Sequence, residues 1–109
     1  MTDLKHSYNK FGLLDRDLDD IISTISEYKE VGSAVIFGSR AKGNYKKGSD
    51  IDLALKGLEL TPDIIKDISV QLNEYHPIPY FVDVIDYTHL KKEELKIHVD
   101  HFGQLIYQQ

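Results

Sequence analysis

The chain has 109 residues, no cysteine, and a formal net charge of −5 from 13 basic and 18 acidic side chains. The lack of cysteine excludes disulfides, thiolate zinc sites and cysteine nucleophiles together, and the acidic balance argues against broad nucleic-acid binding, which needs surplus Lys and Arg to neutralise phosphates. With 41% hydrophobic and 28% charged residues, the composition suits one globular domain over residues 1–109, with one core.

Residues 1–13 lack periodicity and read as a loose arm with no apolar signal segment; no run reaches membrane-spanning length, so a cytoplasmic protein is expected. Asp15 is placed to cap a helix, with Asp17 and Asp19 favourable against its positive end. Leu18, Ile21, Ile22, Ile25 and Tyr28 then recur at helical steps and predict an amphipathic helix over residues 15–29, ended near Gly32. Asp15, Asp17 and Asp19 also mimic the start of a calcium loop, but its sixth position is Asp20 rather than glycine and its twelfth is Ser26 rather than glutamate.

Residues 33–37 are short, apolar and glycine-bounded, as a buried strand is. A brief helical turn is expected over residues 40–45, then a second strand over 50–56. Thr61-Pro62 is a strong start for a helix running to about Glu74, with a capping hydroxyl and a proline at the first helical position. Pro77 and Pro79 exclude helix, and the aromatic and β-branched alternation over residues 80–85 predicts a third strand. Thr88 is placed to cap a last helix over 90–100 that turns Leu95 and Val99 to the core. Gly103 breaks it, and residues 105–107 form a short apolar end of open conformation.

The chemistry concentrates in residues 35–55, VIFGSRAKGNYKKGSDIDLAL. An apolar strand stops at Gly38-Ser39, and after ten intervening residues Asp50-Ile51-Asp52 opens the next. Alternation puts Asp50 and Asp52 on one face of that strand, about 7 Å apart, with Ile51 and Leu53 on the other. Two carboxylates this close repel unless a cation lies between them, and magnesium takes one or two carboxylates with phosphate oxygens and water. Gly38 would let backbone approach a phosphate, while Ser39 adds a hydroxyl and a following helical turn adds free amides. Asp83, flanked by Val82 and Val84, is the best third carboxylate for two-metal phosphoryl transfer; Asp86 falls on the wrong face. Arg40, Lys42, Lys46 and Lys47 make the connection locally positive, and Arg40 and Lys42 are candidates to neutralise a triphosphate. The P-loop look of residues 43–49 fails, because Gly48 precedes serine rather than the phosphate-binding lysine.

Gly38-Ser39, ten residues, Asp50-x-Asp52 and a later Asp83 together resemble the DNA polymerase β nucleotidyltransferase superfamily, over nearly the whole chain. The phrase FGSRAKG…SDIDLAL is similar to its minimal nucleotidyltransferases. The resemblance implies an α/β nucleotidyltransferase fold, a small mixed β-sheet flanked by helices. It implies Mg²⁺, two ions, held by Asp50, Asp52 and Asp83; ATP as substrate with phosphates at Gly38 and Ser39; and AMP transfer to a hydroxyl, Asp83 helping to activate it. Many such chains resemble antitoxins whose partner is a HEPN-type toxin silenced by AMP addition to a tyrosine. The toxin's arginine–histidine signature is absent here, which matches the transferase half. Two alternatives stand: an antitoxin that acts by binding alone, and a transferase acting on RNA or a small molecule. His98 and His101 with Glu94 one turn earlier have zinc-like spacing but no wider motif, His76 and His89 show no partner, and the tyrosines form no stacking platform.

Overall fold

In a computed structural model describing residues 7–109, the chain forms α1 (Asp15–Ser26), β1 (Ser33–Phe37), α2 (Gly38–Lys42), β2 (Ile51–Lys56), α3 (Pro62–Glu74), β3 (Val82–Asp86), α4 (Glu93–Phe102) and β4 (Gln104–Gln108). The sheet order is β3-β2-β1-β4. β1 runs antiparallel to both β2 and β4, and β2 runs parallel to β3, so the sheet is mixed.

Alternation gives the sheet two faces with different tasks. Ala34, Ile36, Leu53, Leu55 and Val82 enter the main core with Ile21 and Ile25 of α1 and Ile68 and Leu72 of α3. Their opposite-facing neighbours Val35, Phe37 and Ala54 make a smaller cluster with Val99 of α4, against which Leu95 and Ile85 pack. Each fully buried Leu or Ile contributes about 1.5–3 kcal/mol relative to exposure, so the sandwiching of both faces fixes the register.

Part of the expected loose arm, residues 1–6, lies outside the described residues; residues 7–13 do not fit the expectation. Phe11 and Leu13 are buried, and Asn9 closes a turn by accepting from the Phe11 and Leu13 amides. Leu14, not Asp15, holds the N-cap position of α1, without a side-chain cap. Asp15 instead accepts from the Asn9 side chain at 3.2 Å. The helix ends at Ser26 rather than residue 29, because the chain must leave it for Val31 to reach the core. Gly32, expected to end it, lies well past the helix and bonds to the Lys56 carbonyl. Thr61 caps α3 as expected, its hydroxyl accepting from the Ile64 amide.

β3 starts at Val82 rather than residue 80, since Tyr80 is drawn against the Arg40 guanidinium, 4.2 Å from its ring centre. The Asn73 side chain on α3 donates to the Val82 carbonyl at 2.9 Å and accepts its amide at 2.8 Å. This double bond seats the first residue of β3 and so places Asp83. Thr88 does not cap α4; its hydroxyl accepts from the Gly57 amide, and α4 begins three residues later than expected, behind Lys92. Residues 104–108 find the free edge of β1 and become a strand. No described helix is long and apolar enough to cross a membrane.

Asn73→Ala leaves the Val82 amide and carbonyl without their side-chain partner and is expected to lower stability by about 1–3 kcal/mol in urea denaturation. A loss below a few tenths would show that Asn73 does not seat β3.

Candidate active site

The cross-strand register builds the site. Phe37 stands opposite Asp52 on β2, and Asp52 stands opposite Asp83 on β3. Phe37, Asp52 and Asp83 thus form one row at the end of the smaller apolar face, with adjacent strands about 4.8 Å apart. Asp83 is exposed and Asp52 half-buried. Asp50 is exposed and lies one residue before β2, not in it as expected, because the ladder opens with the Ile51 amide bonding to the Phe81 carbonyl. Its charge nevertheless acts on Asp52. Burial chiefly, then Asp83, then Asp50 push the Asp52 carboxyl above the ordinary carboxylate range, with His98 acting in the opposite sense.

Gly38 is the other half of the site. It opens α2 in a left-handed backbone conformation, φ 74°, and a Cβ added there would fall 2.1 Å from Asp52 Oδ2. No side chain but hydrogen leaves room for that carboxylate against the turn. The helical turn therefore begins at Gly38 rather than at residue 40, so Gly38 and Ser39 lie in its first turn, where amides have no intrahelical acceptor.

An open cleft of about 690 Å³ runs from Phe37, Gly38 and Asp52 to Lys92, Glu94 and His98 on the α4 side. The His98 ring meets Phe37 edge-on at 6.0 Å and Phe102 at 5.1 Å. The zinc-like spacing of His98 is set aside in favour of an exposed or partly packed histidine, and its place in this wall was not foreseen. A signal was present: His98 lies between Leu95 and Val99, the two positions turned to the sheet.

Arg40 is a correction. It is 1% exposed, not a phosphate-facing surface charge. Its Nε and Nη2 donate to the Ser49 carbonyl at 3.0 and 2.8 Å, and its Nη1 donates to the carbonyls of Phe11 and Gly12 at 2.9 and 3.2 Å. The guanidinium also packs on the rings of Tyr45 and Tyr80. Arg40 fastens the residue preceding Asp50 to the N-terminal turn, with four of its five N–H donors spent on backbone carbonyls. Lys42 is exposed, its ammonium over the Phe102 ring at 4.9 Å. Two histidines thought partnerless have partners: His76 Nε2 lies 3.1 Å from the Thr24 hydroxyl, and His89 Nδ1 lies 2.7 Å from Asp86.

The profile of the family described as polymerase beta, nucleotidyltransferase matches residues 19–109. The chain belongs to the polymerase β nucleotidyltransferase family. Several solved structures share this nucleotidyltransferase fold. A chain of a toxin–antitoxin crystallised with AMP-PNP superposes with a TM-score of 0.71 at 20% identity, over 84% of this chain and 73% of that one. The tri-AMPylated Shewanella oneidensis HEPN toxin in complex with MNT antitoxin gives 0.66 at 18% identity, over 87% and 72%. The toxin–antitoxin MntA–HepT gives 0.67 at 18% identity, over 87% and 73%. No curated protein matches the sequence.

Magnesium is the cofactor this nucleotidyltransferase family implies. Among the described residues no three His, Cys, Asp or Glu side chains are grouped so that they could hold a metal ion by themselves. The donor set fits a hard cation all the same: carboxylate oxygens at one open sheet end, leaving room for the waters and phosphates that magnesium retains.

Because Asp52 has a raised carboxyl pKa in the folded chain, the unfolded state releases its proton first as pH climbs. Ionised Asp52 therefore costs stability at neutral pH, and the cost vanishes when both states are protonated. In metal-free denaturation, the stability of Asp52→Asn relative to wild type is expected to rise from about pH 4 to about pH 7. A gap that stays constant, or narrows, contradicts the burial of this carboxylate.

Proposed function

We propose that this chain transfers AMP from ATP to a tyrosine hydroxyl of a HEPN-type toxin protein, and so serves as its antitoxin in the cytoplasm. The observation that carries the reading is Asp52, crowded by Asp83 and Asp50 and lodged against Gly38. Family membership supports nucleotidyl transfer. The likeness in fold to a toxin–antitoxin holding AMP-PNP and to one with an AMPylated HEPN toxin supports the choice of nucleotide and acceptor.

In this reading the first-turn amides and the Ser39 hydroxyl hold the phosphates, and the exposed Lys42 adds charge at the rim. The acceptor oxygen bonds to the α-phosphorus, the bridging bond to the β-phosphate breaks, and pyrophosphate leaves. Asp83, at the open end of the row, takes the acceptor proton. Asp50, Asp52 and Asp83 would hold magnesium, which would supply charge neutralisation at the phosphates. The chain's own contribution is placement in line and a partly dehydrated setting.

The test is intact-mass spectrometry of the protein encoded beside this one, after incubation with this chain and Mg²⁺-ATP. The expected result is a gain of one or more AMP units, with Asp50→Asn and Asp52→Asn slowing transfer by about a hundredfold or more. A stable complex without mass gain overturns the catalytic reading in favour of neutralisation by binding. Label recovered on RNA instead of protein moves the acceptor to RNA.

A further inference from the structure

A second concavity, of about 350 Å³, shares no lining residue with the acidic cleft. Its wall includes Arg40, Lys46, Lys47 and the tyrosines Tyr8, Tyr45 and Tyr80, with no Asp or Glu among the described residues. On a chain of net charge −5, this is a local reversal of sign inside a hollow rather than along a flat face.

Arg40 is the informative group. It is almost fully buried, yet no carboxylate pairs with it among the described residues. Among the described residues only carbonyl dipoles and tyrosine rings meet its charge. A guanidinium has five N–H donors; four bonds reach Ser49, Phe11 and Gly12, which leaves one Nη2–H with no acceptor among the described residues. Removing a cation from water costs several kcal/mol unless charge and hydrogen bonds compensate. An anion in the adjoining hollow would complete both. Lys46 and Lys47 are exposed and free to fold over such an anion, and the volume falls within the ordinary range for small-molecule sites.

We propose that this hollow is a second ligand site, which binds a small phosphate-bearing molecule independently of the acidic cleft. Phosphate suits the groups present: a planar fork with a donor to spare, two flexible ammonium groups and, among the described residues, no repelling carboxylate. A long polyanion does not suit them, since the positive patch is confined to the hollow on an acidic chain.

The experiment titrates the ¹⁵N-labelled full chain with AMP and, separately, with inorganic phosphate, in chelator and without divalent cation. Saturable shifts are expected at the amides of Lys46, Lys47 and Gly48, with those of Gly38 and Asp52 unmoved. The double variant Lys46→Gln/Lys47→Gln, whose ligand-free spectrum should overlay that of the wild type, is expected to bind about tenfold more weakly or worse. Tighter binding of AMP than of phosphate extends the site to nucleotides; equal affinity confines it to the phosphoryl group; either sustains the anion site. Absence of shifts, or shifts that the double variant leaves unchanged, overturns it. Because no metal and no acceptor are present, the outcome is independent of whether the acidic cleft transfers AMP.

Discussion

Two carboxylates held in register on neighbouring parallel strands are the constraint on which the rest of this structure bears. Asp52 and Asp83 repel each other, and Asp52 is in addition partly withdrawn from water. Nothing local favours that arrangement. It is imposed from the other side of the sheet, where Ile51, Leu53, Leu55 and Val82 are sealed in the main core. A slip of one residue in either strand would turn the acids into that core and its aliphatic side chains outward. The hydrophobic pattern of β2 and β3 therefore does the positioning that the acids themselves resist.

The smaller apolar face has a second part in this. α4 covers Val35 and Ala54 through Val99 and Leu95, but the helix starts only at Glu93, so the row of Phe37, Asp52 and Asp83 remains at an open mouth. Gly38 closes the opposite wall by having no side chain. The cleft exists because a short helix stops short on one side and a glycine yields on the other.

Much of this was legible in the sequence, and the legible parts share a cause. Alternation in residues 51–55, the Thr61-Pro62 helix start and the Gly38-Ser39 to Asp50-x-Asp52 spacing are local signals, readable within one element. What escaped reading depends on partners far along the chain. Arg40 sits among lysines and resembles them, but its burial is decided by the carbonyls of Phe11 and Gly12 and by Tyr80. Thr88 has the chemistry of a cap, yet the Gly57 amide claims its hydroxyl. Residues 104–108 carry little strand pattern and take that form because β1 offers an edge. The His89 partner was the exception: Asp86, three residues away, was a local clue passed over.

The placement of β4 bears on how the chain reaches this state. β1 lies in the interior of the sheet, and its outer neighbour comes from the opposite end of the described sequence, with Ser33 paired to Gln108. Contacts of such sequence separation raise contact order, and chain entropy must be lost before they return any energy. Until β4 docks, β1 presents a bare, apolar strand edge that can pair with another chain. The edge that completes the fold is thus the one whose pairing asks most of the chain's entropy, and the one that β4 keeps from other strands.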